Sequence, residues 1–287
     1  MRALAFTFAL LLAGGPALAQ EPSPDPELGP SADPELGPSP DPREAILRER
    51  NGELIARLVE RTTQPSEEWA RLSIEVLKDR SPIDRTRRFD LSWRRSPGGR
   101  VSLRLRFLEP PALRGVAWLI LEPEASPPRA HRYDPKERRS SRVSPPDWSQ
   151  RLAGTGLTWG DLRGPAQDAF SYTLQGEERL KLRPTAEGEV GFRPVHVLGV
   201  RPRGGGPLMQ RVHVDRERRV PLLTEFLGPE GGPGKRRWDR SYERVGDRLR
   251  PVAITIVEEA QTSEVRAELI KAKAPPAHFD VDRYWQE

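Results

Sequence analysis

Residues 89–107 read Phe-Asp-Leu-Ser-Trp-Arg-Arg-Ser-Pro-Gly-Gly-Arg-Val-Ser-Leu-Arg-Leu-Arg-Phe. Phe89, Leu91 and Trp93 alternate with Asp90, Ser92 and Arg94. Val101, Leu103, Leu105 and Phe107 alternate with Ser102, Arg104 and Arg106. A period of two sends the two sets to opposite faces of a strand. Pro97-Gly98-Gly99 supplies the turn between the two runs. Just upstream, Ala70, Leu72, Ile74 and Val76 alternate with Arg71, Ser73 and Glu75. Three such runs in series predict an antiparallel meander with one dry face.

The same grammar continues to the end of the chain. Strands are expected at 116–121, 130–133, 169–174, 180–184, 193–201, 208–215, 221–227, 236–244, 249–257 and 264–271. Glycine-rich turns at 204–207, 228–232 and 246–247, and a charged tip at 216–219, separate several of them. Strand, tip, strand, without crossover helices, is an up-and-down β arrangement. The shortest candidates can be bulged pieces of their neighbours, so about 10–11 strands are expected. Trp118-Leu119-Ile120-Leu121 is apolar on both faces, which fits a deep strand or the end of a short helix. Before the strands, Ile46, Leu47, Leu54, Ile55, Leu58 and Val59 repeat at three-to-four spacing and predict a helix over 43–61, closed by Pro65.

The ends bound the compartment. Arg2, the apolar run 3–13 and Ala17-Leu18-Ala19 have the form of a cleaved secretory signal, residues 1–19. The run is too short to span a bilayer, which needs about 20 residues. Residues 20–42 are a proline-rich linker with the near-duplicate Asp-Pro-Glu-Leu-Gly-Pro-Ser at 25–31 and 33–39. Proline at this density disfavours a packed core. About 245 residues remain (287 minus 42), enough for one domain, 43–287. The chain has no cysteine, which excludes disulfides, thiolate chemistry and a lipid-modified N-terminal cysteine. The net charge of +5 is spread along strands and mixed with acids, so nucleic acid is not an expected partner.

Four constellations bear on chemistry. The dry face of the sheet is either filled core or the lining of a ligand cavity, and the pattern alone leaves both open. The loop 152–162 combines Gly154, Gly156 and Gly160 with Leu157 and Trp159. It reads as a hinged cover over an apolar opening or as a surface loop with two anchors. Arg132, Arg139 and Arg142 flank Tyr133-Asp134-Pro135 with Arg129 and Arg138. They could meet anionic head groups or an acidic partner, or form a solvated tip. His131, His196, His213 and His278 show no metal-ligand spacing, and no Gly-x-Ser-x-Gly elbow exists. No catalytic residue, metal or cofactor is therefore expected, and the chain does not read as an enzyme.

Three segments in order carry a resemblance: Phe107…Pro110…Arg114-Gly115-Val116-Ala117-Trp118-Leu119, then Arg132-Tyr133-Asp134-Pro135…Arg139…Arg142-Val143, then Leu152-Ala153-Gly154-Thr155-Gly156-Leu157-Thr158-Trp159-Gly160-Asp161-Leu162. With Pro251-Val252-Ala253-Ile254 and His278-Phe279-Asp280, this order resembles the outer-membrane lipoprotein-sorting family, the LolA/LolB-like superfamily, from about Glu67 onward. The resemblance implies a mainly β, α+β fold: a half-open antiparallel β-barrel with helices packed on its concave side. It tips the dry face towards a cavity, with Leu91, Trp93, Leu103, Leu105, Phe107, Trp118, Leu157 and Trp159 as candidate lining. It implies a monomeric periplasmic carrier of lipoprotein acyl chains or lipid, delivering to the outer membrane. An inner-membrane transporter or an outer-membrane receptor is the implied partner. The alternative on the same fold is a non-transporting envelope sensor or scaffold that binds a protein.

Overall fold

A computed structural model describes residues 42–78, 81–82, 86–163, 169–182, 191–228, 231–258 and 261–286. The signal and linker at 1–41 lie outside the described residues. Helix α1 spans Pro42–Thr63. The strands are β1 (Glu67–Lys78), β2 (Ser81–Pro82), β3 (Arg87–Arg95), β4 (Val101–Glu109), β5 (Ala117–Leu121), β6 (Arg129–Asp134), β7 (Arg139–Val143), β8 (Phe170–Lys181), β9 (Phe192–Pro202), β10 (Gln210–Asp215), β11 (Pro221–Leu227), β12 (Pro233–Val245), β13 (Arg248–Glu258) and β14 (Gln261–Lys271). A five-residue helix α2, Trp159–Arg163, lies between β7 and β8.

All strand pairings are antiparallel. The order across the sheet is β7-β6-β5-β4-β3-β1-β14-β13-β12-β11-β10-β9-β8, with β2 paired to β1. The sheet is open, with β7 and β8 at its edges. Thirteen strands on this path exceed the expected 10–11, because only one pair of candidates merged and one unexpected strand was added. The candidates at 169–174 and 180–184 are one strand, β8, bulged between Leu174 and Gly176. Conversely, Arg139–Val143, read from sequence as part of an arginine tip, pairs with β6 as a strand.

The order explains the course of the middle of the chain. β7 and β8 are consecutive in sequence yet sit at opposite edges of the sheet. The described part of their connection, residues 144–163, crosses a sheet face and carries α2 with it. Leu152, Leu157, Trp159 and Leu162 are buried on that face against Leu91, Trp93, Leu103, Leu105, Phe107 and Ile120. The opposite face of the same strands is covered by the C-terminal residues: Ala274, Phe279 and Tyr284 pack on Ala117 and Leu119. This double cover is why Trp118–Leu121 is apolar on both sides. Arg104 is buried in the opposite face, and its guanidinium donates to the carbonyls of Tyr284 (2.6 Å) and Gln286 (3.0 Å).

Helix α1 lies on β8 and β9. Ala56 packs with Tyr172, Leu198, Val200 and Val214, and Ile55 and Val59 flank it. Gly52 makes the approach: a Cβ there would stand 2.4 Å from the Tyr172 carbonyl oxygen. The glycine that weakens the helix in isolation is what seats it. Among the described residues no helix is long and apolar enough to cross a membrane.

Candidate functional site

The face that carries α1 and the crossing segment 144–163 is filled in one half and hollow in the other. The filled half lies over β3, β4 and β5. There Leu103, Leu105 and Phe107 are buried, and Trp118 meets Trp159 edge to face with ring centroids 5.5 Å apart. The hollow half holds a cavity of about 690 Å³. Its apolar wall comes from Phe170 and Tyr172 of β8, Leu198 and Val200 of β9, Val212 and Val214 of β10, and Ala56 and Val59 of α1. β11 adds Thr224 and Phe226, and Leu91, Trp93, Trp148 and Leu162 close the side toward the filled half.

Of the eight residues proposed from sequence as lining, Leu91 and Trp93 border the cavity. Leu103, Leu105, Phe107, Trp118, Leu157 and Trp159 are not among its lining residues; all eight belong to one packed cluster. Two of the eight therefore border the cavity, and the other six lie in the packed half of the same face. The missed residues alternate as clearly as the chosen ones: Leu198 and Val200, then Val212 and Val214. What was unreadable was where the crossing segment would lie, since whichever strands it covers become core.

A polar wall faces the apolar one. Arg237 Nε donates to Asp239 (2.8 Å), and the Tyr242 hydroxyl lies 3.3 Å from the same carboxylate. Arg250 forks onto Glu68, with one bond at 3.0 Å. Burial alone would lower the pKa of Arg237, but the carboxylates of Asp239 and Asp161 outweigh it and raise it. Burial, reinforced by Asp239, holds the Tyr242 hydroxyl well above its ordinary range. Tyr172 is pushed up to about 12, first by burial and then by Glu53. Arg237 therefore stays charged, and Tyr242 and Tyr172 stay neutral, across the neutral range.

The crossing segment is pinned at both sides. Thr158 and Asp161 cap α2 reciprocally: Asp161 Oδ2 accepts from Thr158 N (2.7 Å), and Asp161 N donates to Thr158 Oγ1 (3.1 Å). The same carboxylate takes Lys235 of β12 at 2.5 Å. Arg163 forks onto Glu122 at 2.7 and 2.8 Å, and its carbonyl accepts from Trp93 Nε1 at 3.1 Å. The glycines act differently from the hinges expected. Gly154 adopts φ +75°. Gly156 and Gly160 instead allow close approach: a Cβ would stand 3.0 Å from Ile256 Cγ2 and 2.9 Å from the Trp148 carbonyl oxygen, respectively.

The three arginines proposed to meet head groups are not on one face. Arg132 pairs with Asp134 at 3.4 Å, and Arg139 is the cross-strand partner of Asp134. Arg142 pairs across from His131, which puts it on the other face of the β6–β7 edge. A serine–histidine contact exists, Ser92 Oγ to His278 Nδ1 at 2.6 Å. It is sealed beneath the C-terminal residues on the opposite face from the cavity, and burial, with Arg104 nearby, lowers His278 to about 4. Among the described residues no group of three or more His, Asp or Glu side chains is placed to hold a metal ion.

A cavity of this size, with an apolar wall and paired charges opposite, can take up an apolar ligand. Against known proteins, a family model described as "-like: Uncharacterized protein" matches residues 100–274, more than half the chain. No curated protein matches significantly. Among solved structures, an outer membrane lipoprotein-sorting protein domain from Vibrio parahaemolyticus is 17% identical, with TM-score 0.67, covering 83% of this chain and 100% of that one. A DUF1329 family protein from Desulfovibrio piger is 15% identical, with TM-score 0.66, covering 81% and 97%. A LolA superfamily protein from Nitrosomonas europaea is 16% identical, with TM-score 0.59, covering 82% and 97%. The chain therefore belongs to the uncharacterized family that the model describes, and its fold is that of the LolA-like, outer-membrane lipoprotein-sorting proteins.

Proposed function

We propose that this protein is a periplasmic carrier that encloses lipid or lipoprotein acyl chains in the cavity between α1 and β8–β12 and delivers them to the outer membrane. In this reading the cavity face is the concave side of a half-open barrel, with α1 and α2 packed upon it. The observation that carries it is the cavity itself. Its volume of about 690 Å³ falls within the roughly 300–1,000 Å³ typical of enclosed ligand sites. Its apolar wall is continuous from α1 through β10. The similarity of fold to a lipoprotein-sorting domain adds support.

The energetics restrict the cargo. Ten buried methylenes are worth about 8 kcal/mol. Association costs about 4–15 kcal/mol. One short tail therefore binds weakly, and a long or doubled chain is the fitting ligand. The 152–163 segment acts as the cover, held shut by Lys235 and Glu122 until a partner displaces it.

The reading is tested by native mass spectrometry of the mature protein purified from its periplasm. It expects copurified lipid, lost when Val200→Trp and Val212→Trp fill the cavity without unfolding the sheet. Empty wild-type protein that also fails to take up added lipid would refute it.

A further inference from the structure

Helix α1 presents two faces, and the cavity uses one. Gly52, Ile55, Ala56, Val59 and Thr63 point to the sheet. The outward arc, about 120° wide at 3.6 residues per turn, holds Arg43, Ile46, Leu47, Arg50, Leu54, Arg57, Leu58 and Arg61. The order is arginine, two aliphatics, arginine, aliphatic, arginine, aliphatic, arginine, with no acid. Ile46, Leu47 and Leu54 are 64%, 55% and 57% exposed. They are three of the six strongly exposed large hydrophobic side chains among the described residues, so the exposure is concentrated here. The helix's four acids lie outside this arc: Glu44 pairs with Arg48 on one flank, and Glu49, Glu53 and Glu60 line the other, where Glu53 reaches Arg203.

We propose that this outward face of α1 docks on a bilayer bearing anionic phospholipid head groups. Arginines alternating with aliphatic side chains over about 27 Å of helix match a helix lying in the membrane interface. The aliphatics enter the head-group boundary, and the arginines spread toward phosphate on their long stems. Charge complementarity selects this occupant over a second copy of the chain, because a two-fold contact through this arc would set arginine against arginine. The docking does not depend on what the cavity holds, since the two functions use opposite sides of one helix. It would set the cavity beside the membrane from which cargo is drawn or to which it is given.

The test is co-sedimentation of the full mature chain with vesicles of phosphatidylglycerol and phosphatidylethanolamine, and with vesicles of phosphatidylcholine alone, at low and at physiological salt. Binding to the anionic vesicles is expected to be at least tenfold tighter and to weaken as salt rises. Arg50→Gln with Arg57→Gln, and separately Leu47→Glu with Leu54→Glu, should each weaken it at least tenfold. Both changes lie at exposed positions, and unchanged thermal melting shows that the fold is kept. Equal binding by wild type and both variants, or no binding to anionic vesicles at low salt, overturns the proposal. So does equally tight binding of soluble polyglutamate, which would assign the face to an acidic protein.

Discussion

Replacing Asp161 with alanine removes two supports of the crossing segment at once. Its carboxylate caps α2 through Thr158 N at 2.7 Å and Thr158 Oγ1 at 2.9 Å, and it receives Lys235 Nζ at 2.5 Å. Losing a helix cap costs about 1 kcal/mol. Lys235 and Asp161 have side chains only 11% and 6% exposed, so the change also strands a largely buried ammonium. Breaking a buried pair from one side costs about 3–5 kcal/mol. Lys235 can recover part of this by bending its stem toward water, and it keeps its position 4.8 Å over the Phe226 ring. The net loss is therefore about 3–4 kcal/mol, read as a shift of the urea midpoint. Adding Lys235→Met to Asp161→Ala removes the stranded charge and should restore about 2 kcal/mol. Amide exchange over 152–163 should rise in the single variant and fall back in the double. A single-variant loss below about 1 kcal/mol, or a double variant no more stable than the single, would refute the reasoning that this ion pair clamps the segment.

Gly52→Ala inverts the usual sign. In an exposed helix interior it stabilises by about 1 kcal/mol. Here the new Cβ meets the Tyr172 carbonyl at 2.4 Å, so thermal melting should fall, and amide protection in α1 should fall with it. Arg104→Met leaves the Tyr284 and Gln286 carbonyls without their buried donor, at about 1–3 kcal/mol for each group so stranded. Limited proteolysis should then cut within 272–286, which wild type resists. His278 has a folded pKa of about 4 against 6.5 for the free side chain, so the unfolded chain takes up the proton first. Its stabilising contribution is full above pH 6.5 and is lost as pH falls toward 4, up to about 3 kcal/mol. Urea midpoints measured across that window should show this slope, and His278→Gln should flatten it.

The sheet was legible because period-two alternation survives burial: one face of β3 and β4 is dry along its whole length. The helix was legible from its apolar repeat, though the use of Gly52 was not, since it depends on a backbone contact 120 residues away. β7 was missed because Arg139, Ser140, Ser141 and Arg142 carry no apolar alternation; an edge strand needs none. The cavity was misplaced for a topological reason. Leu103, Leu105 and Phe107 look no different in sequence from Leu198, Val200 and Val212. Which set is covered is decided by a crossing segment that joins the two sheet edges, and an edge is a property of pairing order, not of local pattern. The polar wall was unreadable for a similar reason: Glu68 and Arg250 are partners across the whole length of the domain.

The central claim is that an acyl chain lies against the β8–β12 half of the sheet and not the β3–β5 half. Tryptophan quenching by a long-chain lipid brominated along its tail measures this directly. Trp93 and Trp148 line the cavity, while Trp118 and Trp159 pack in the filled half. The account predicts saturable quenching that is largely lost in a Trp93→Phe, Trp148→Phe variant and retained in a Trp118→Phe variant. Quenching that survives the loss of Trp93 and Trp148, or is absent altogether, contradicts it.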